Sequence, residues 1–294
     1  MRPPRGSRRD RTTGRTHGTY GCDQKSARML RSRAPGSAQR ATNRGDVRGA
    51  GSSTAPLPPA MIDHMASSTA SAASGPPTAA SVRRQLEASV SLAERERTMK
   101  RMADASIPVL GVRMGTVFEI AKANVGMPLD EVDRMLDDDT YEVRVAAVSV
   151  LDFRARQRRT TDADRRAMFE LWMRRLDRID TWDLIDRAAP RVIGWYLLDK
   201  PRDPLFALAR DDEWWHRRTA ITAAFWIIRA RDLDDPLALC ELLADDPVHF
   251  VQTNVGVALR EIGRVDPGRL EDFLARRGDD LSAHARRTAR SALG

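Results

Sequence analysis

The strongest constraint on this chain is a spacing. Asp138-Asp139, Asp211-Asp212 and Asp245-Asp246 each close one helical stretch and precede another. Small apolar and polar residues then follow: Val143-Arg144-Val145-Ala146-Ala147, Arg217-Arg218-Thr219-Ala220-Ile221 and Val251-Gln252-Thr253-Asn254-Val255. The last two acidic pairs lie 34 residues apart and the first two 73, close to twice that. Acids at a helix start satisfy free N–H groups and oppose the helix dipole. A helical hairpin repeated at this period cannot cover its apolar stripe alone, so it stacks on its neighbours.

Apolar periodicity agrees. From residue 114 onward only helical periods and short breaks are found, with no sustained alternation of the kind a strand needs. The predicted helices are 114–124, 128–137, 140–157, 162–178, 181–199, 203–210, 213–230, 235–244, 247–263, 267–277 and 281–292. The 181–199 helix should kink or split at Pro190, which supplies no backbone N–H. Ahead of these, Val82 to Ala105 reads as one long charged helix with Val82, Leu86, Val90 and Ala93 on its apolar side. Pro108 and Gly111 then break the chain. The predicted fold is all-α, a HEAT-like α-solenoid of stacked antiparallel helix pairs spanning 81–294, whose concave side is the expected binding surface.

Residues 1–80 are different in kind. They are rich in Gly, Ser, Pro, Ala, Thr and Arg and carry few large aliphatics, too few to offset chain entropy, so disorder is expected. Three readings stay open: a basic nucleic-acid tail, an Arg/Ser-rich transit peptide, or sequence upstream of a true start at Met61 or Met65. This segment holds 13 Arg+Lys against 4 Asp+Glu, whereas 81–294 holds 36 against 37. The net charge of +8 therefore belongs to the tail, and nucleic-acid binding by the helical part must rest on where its arginines sit. Only Lys25, Lys100, Lys122 and Lys200 are lysines, so nearly all its cations are planar forks suited to phosphate. Cys22 and Cys240 form no redox or metal spacing, and Cys240 reads as a buried thiol. No apolar run reaches the length of a membrane span. His216, His249 and His284 make no ligand set or triad.

The stretch Thr181-Trp182-Asp183-Leu184-Ile185-Asp186 carries the candidate chemistry. Trp182 and Asp186 stand four residues apart, one turn along a helix face. An indole beside a carboxylate can be core packing plus a solvated acid, with Arg187 and Arg191 as near cations. It can equally be a site that holds positive charge. Trp172, Trp195 and Trp226 read as packing.

Four segments in order resemble the bacterial DNA alkylation repair proteins, DNA glycosylases built from HEAT-like repeats. They are Leu110-Gly111-Val112-Arg113, Trp182 to Asp186, Trp215-His216-Arg217-Arg218-Thr219-Ala220-Ile221, and Val255-Gly256-Val257-Ala258-Leu259-Arg260-Glu261-Ile262. The resemblance implies excision of purines alkylated at N3 or N7 from duplex DNA, with no metal or cofactor and no enclosed pocket. It implies a monomer acting at the nucleoid in the cytoplasm, not at a membrane. It makes Asp186 the catalytic carboxylate and Trp182 an aromatic wall. Arg218 would grip backbone phosphate, and Trp215 and Arg260 would be further DNA contacts. One position departs: the family's second tryptophan falls at Val257, which leaves one wall of the cleft missing. A non-catalytic HEAT-repeat relative that binds DNA or protein is the alternative.

Overall fold

A computed structural model of the chain describes residues 75–102 and 106–294. No strand occurs among the described residues. Their α-helices are α1 (Ala79–Glu87), α2 (Leu92–Arg101), α3 (Met114–Ala123), α4 (Leu129–Asp137), α5 (Tyr141–Ala155), α6 (Asp162–Arg174) and α7 (Trp182–Ala189). There follow α8 (Asp203–Ala209), α9 (Trp214–Arg229), α10 (Asp234–Leu242), α11 (His249–Val265), α12 (Pro267–Arg277) and α13 (Ala283–Arg290).

From α3 onward, alternate helices form a first row, in which α3, α5, α7, α9, α11 and α13 each touch the next. The helices between them in sequence, α4, α6, α8, α10 and α12, pack mainly against this row and the π-helical turn that follows α7, and α1 packs on α3, α4 and α5. One apolar core joins these helices, from Val82 and Leu86 through Met135, Leu151, Trp172 and Ile185 to Leu259 and Phe273. α5 is the most deeply enclosed, buried on nearly every face, so each of its buried polar groups needs a partner. Arg144 donates to Asp180 (2.8 Å) and the Arg178 carbonyl (3.2 Å). Ser149 accepts from Arg187 (3.0 Å). The Glu142 carboxylate is fully buried and accepts the backbone N–H groups of Leu110 (2.9 Å), Gly111 (2.7 Å) and Val112 (3.2 Å). Gly111 makes that turn possible. Its φ is +94°, and a Cβ there would sit 2.6 Å from the Ser91 carbonyl oxygen.

The repeated acids do a repeated job. Asp138 accepts the N–H of Thr140 (2.8 Å), Asp211 that of Glu213 (2.9 Å) and Asp246 that of Val248 (2.8 Å). Thr140, Glu213 and Val248 are the N-cap residues of α5, α9 and α11. Each acid thus closes a two-residue turn that aims the next first-row helix, rather than capping its first free N–H groups directly.

Two predicted elements differ from those observed. The helix expected over 82–105 is two helices. The chain leaves α1 at Ala88, and the Ser91 N–H donates to the Gly111 carbonyl (2.9 Å), a long-range bond that turns the chain before α2. Val82 and Leu86 are buried, but Val90 lies on the outside at the break. Residues 103–105 lie outside the described residues. The 162–178 helix ends at Arg174 and continues as a 3-10 turn, Leu176–Arg178. The break at Pro190 occurs as expected: α7 passes into a π-helical turn, Pro190–Gly194, closed by the Trp195 N–H on the Pro190 carbonyl (3.0 Å).

The start of α6 sets one pH dependence. Thr161 and Asp164 form a capping box. The Thr161 hydroxyl, then its N–H, then Arg154 hold the Asp164 carboxyl down at about 2. Depressed below its unfolded value, this group adds stability that is full above the ordinary carboxylate range and lost as pH falls through about 2. Melting temperatures at pH 5, 3 and 2 should therefore fall, and D164N should shrink the fall. An equally steep fall in D164N would take Asp164 out of the account.

Candidate functional site

The site is assembled from three successive first-row helices. α7 contributes Asp186, whose side chain is 35% exposed. α9 contributes Arg218, only 3% exposed, and α11 contributes Asn254. The Arg218 guanidinium meets the carboxylate in a two-pronged fork: Nε donates to Oδ1 (3.1 Å) and Nη2 to Oδ2 (2.6 Å). Its Nη1 donates to the Phe250 carbonyl at the start of α11. Asn254 Nδ2 donates to Asp186 Oδ1 (3.0 Å) and to the Thr222 hydroxyl (2.7 Å). A carboxylate oxygen only accepts, so the Asn254 amide must present its nitrogen. The result is an acid held in one orientation by a planar fork and an amide, with one side left open to solvent.

Trp182 is the first residue of α7, half-buried, and has no ring partner among the described residues. The turn before it is tied down by Asp183, which accepts from Thr181 Oγ1 (2.6 Å) and from the Tyr141 hydroxyl. Burial, then the Asp183 carboxylate, push the Tyr141 hydroxyl above its ordinary pKa, so it stays a donor. Val257 follows Asn254 by three residues, which puts it on the same face of α11 one turn on; it is half-buried. Neither Arg187 nor Arg191 reaches Asp186; both turn to Asp152.

A family model for DNA alkylation repair enzymes matches residues 82–293. The chain belongs to that family. No curated protein matches it. In this DNA alkylation repair enzyme, every expected site residue lies inside the matched span, and the structure brings some of them together and not others. Asp186 and Arg218 meet. Arg218 is expected from the sequence to grip phosphate, but its Nε and Nη2 engage Asp186, its Nη1 engages a carbonyl, and the group is buried. Arg260 pairs with its neighbour Glu261 (3.0 and 2.9 Å) and does not reach Asp186. Trp215 packs edge-on against Trp214 (5.9 Å) and His216 (5.7 Å), with its Nε1 buried and unbonded. His249 and His284 come within 5.7 Å, but no group of three or more possible metal-ligating side chains forms among the described residues. No described helix is long and apolar enough to cross a membrane.

Sequence reasoning missed Asn254, Thr222 and the Phe250 carbonyl. The first two carried a signal. Thr222 is a polar residue in an otherwise apolar run, and Asn254 is a polar residue between apolar helix positions Val251 and Val255; buried polar side chains are bonded to something. The carbonyl carried none. A depression of about 480 Å³ lined by Phe206, Arg210, Ala238, Glu241, Leu242, Asp245 and Arg277 lies on α8, α10 and α12, and none of the Asp186 cluster contributes to it.

Proposed function

We propose that this DNA alkylation repair enzyme is a DNA glycosylase that hydrolyses the N-glycosidic bond of cationic N3- and N7-alkylated purines in duplex DNA. It acts as a monomer without a cofactor, in the cytoplasm at the nucleoid. On this reading residues 81–294 are a HEAT-like solenoid of antiparallel helix pairs, and 1–80 a separate basic segment. The observation that carries it is the clamped, half-exposed carboxylate of Asp186 between Arg218 and Asn254.

An alkylated purine is already positive and leaves as a neutral base. Positive charge then moves onto the sugar as the bond breaks. A fixed carboxylate beside the sugar stabilises that charge more in the transition state than in the ground state. Its solvent side can also orient or deprotonate a water. Glycoside hydrolases meet a related transition state but need a second carboxyl to protonate the leaving group. A cationic base needs no such acid, so one aspartate suffices. Arg218 acts through Asp186, fixing its plane, rather than on phosphate. Trp182 lines the cleft with an indole face that attracts the cation, Val257 leaves the facing wall open, and Trp215 and Arg260 flank it as DNA contacts.

The direct test is release of 7-methylguanine from methylated duplex DNA, separated by chromatography. Release no faster than spontaneous depurination would overturn the proposal. An indole face holds a cation by about 0.5–2 kcal/mol, which corresponds to roughly 2- to 30-fold in rate. V257W should therefore raise the excision rate by a factor in that range; no gain would show that the cleft does not use a second wall. A second reading, a DNA-binding relative without catalysis, is favoured by Val257 together with the ion pair that offsets the charge of Asp186. The same release assay separates the two.

A further inference from the structure

Beside the Asp186 cleft, the first row gathers more positive charge than it balances. The carboxylate of Asp152 on α5 is fully buried. Three guanidiniums converge on it: Arg156, Arg187 (3.2 Å) and Arg191 (3.1 Å). A fourth, Arg229, has no carboxylate partner among the described residues and lies over the ring of Trp226, 5.2 Å from its centroid. Arg191 lies over the same ring at 5.2 Å. Trp226 is stacked on Trp195 (4.9 Å, 17° between planes), and Arg165 covers the other indole at 3.7 Å. Arg187 is further braced on Phe118 (4.3 Å) and Phe153 (4.7 Å). Trp195 and Trp226, expected as packing residues, stack on each other and, half-buried, also support cations.

Three guanidiniums therefore share one carboxylate, and a fourth stands beside them with none. Bringing like charges together in a partly desolvated place is costly unless an anion supplies the missing counter-charge. Burial already pulls the pKa of Arg187 and Arg191 down, against the pull of Asp152. Planar forks resting over aromatic rings are pre-organised for two-pronged bonds to phosphate oxygens.

Position says which anion. α7 carries both clusters. Asp186 bonds forward to α9 and α11, and the next residue, Arg187, bonds back to α5. On α9, Arg218, Thr222 and Trp226 are spaced by four, one strip of one face. Eight residues at 1.5 Å each place Trp226, the ring beneath Arg191 and Arg229, about 12 Å along α9 from Arg218. Phosphates on one strand rise by about 3.4 Å each, so the offset corresponds to roughly three to four nucleotides. Arg218 itself is buried and bonded through all three of its nitrogens. We infer that Arg156, Arg191 and Arg229 form the backbone-phosphate clamp of this enzyme, with Arg187 holding Asp152 from inside, and that the clamp grips duplex DNA three to four nucleotides from the base held at Asp186. The inference rests on the proposed glycosylase reading for its register, and on charge and geometry alone for its anion.

The test is the salt dependence of binding to duplex DNA by the full chain, measured by fluorescence anisotropy. Every phosphate that a variant no longer neutralises should flatten the slope of log K against log salt by about 0.9. R229A should flatten it by about one, R156A/R229A by about two, and R229K should restore it. R276A, an exposed residue of α12 paired with Glu241, should leave it unchanged. An unchanged slope in R156A/R229A, or an affinity loss that is the same at every salt, would overturn the clamp. With lesion-bearing duplex, neutral methylphosphonates three or four nucleotides from the lesion should weaken the wild type and not R156A/R229A; equal weakening of both would overturn the register. Flattened slopes without 7-methylguanine release would sink the glycosylase and spare the clamp. Release with unchanged slopes would do the reverse.

Discussion

D186N should release 7-methylguanine at least about 100-fold more slowly than the wild type while binding DNA within a few fold of it. Mutations that remove one group stabilising a developing charge typically cost about 10²–10³ in rate. Here the loss has two sources. The charge disappears, and the clamp turns against the new side chain. Both Asp186 oxygens accept, from Arg218 Nε and Nη2 and from Asn254 Nδ2. An asparagine must turn an NH2 toward one of these donors, so it cannot sit as the carboxylate does. Single-turnover release on one methylated duplex gives the rate, and anisotropy on the same duplex gives the binding. Unchanged release would take Asp186 out of the chemistry and leave the excision to be explained by other groups.

The second large effect is on stability. Glu142 satisfies three consecutive backbone N–H groups from inside α5. Truncating it leaves those donors buried, and each unsatisfied group costs about 1–3 kcal/mol. E142A should lose about 3 kcal/mol or more, which for a domain of this size lowers the melting temperature by roughly 6–12 °C. E142Q should recover only part, since the amide offers one acceptor oxygen. Urea titration with a constant m-value is the check. A loss below about 1 kcal/mol for E142A would mean that water or a rearranged turn takes over the three donors.

These expectations mark what the sequence could and could not say. The four-residue step from Trp182 to Asp186 survives intact because helix geometry alone decides it. The acidic pairs were readable as helix-start signals, since their effect is local. What was not readable depended on distance along the chain. Leu110-Gly111-Val112 gave no sign of its partner, because Glu142 lies some 30 residues on. The single helix expected over 82–105 is divided by a bond from Ser91 to Gly111, which no local pattern announces. Arg218 stood out as a candidate, but its direction did not. Whether a guanidinium faces solvent or an acid on the helix before it depends on burial, which periodicity gives only for apolar positions. Trp195 and Trp226 do pack, on each other, but spacing gave no sign of the guanidiniums over them: an indole that supports cations and one that fills a core share the same helical period.

The π-helical turn after α7 has one more consequence. It delivers Gly194 against α9 so closely that a Cβ there would stand 2.0 Å from the Ala223 carbonyl oxygen. The gap between these two helices is therefore gauged by a side chain that is missing. The hydrogen atom of that glycine sets how near the aspartate of one helix comes to the arginine of the next, and bulk added at that point would wedge them apart without touching either.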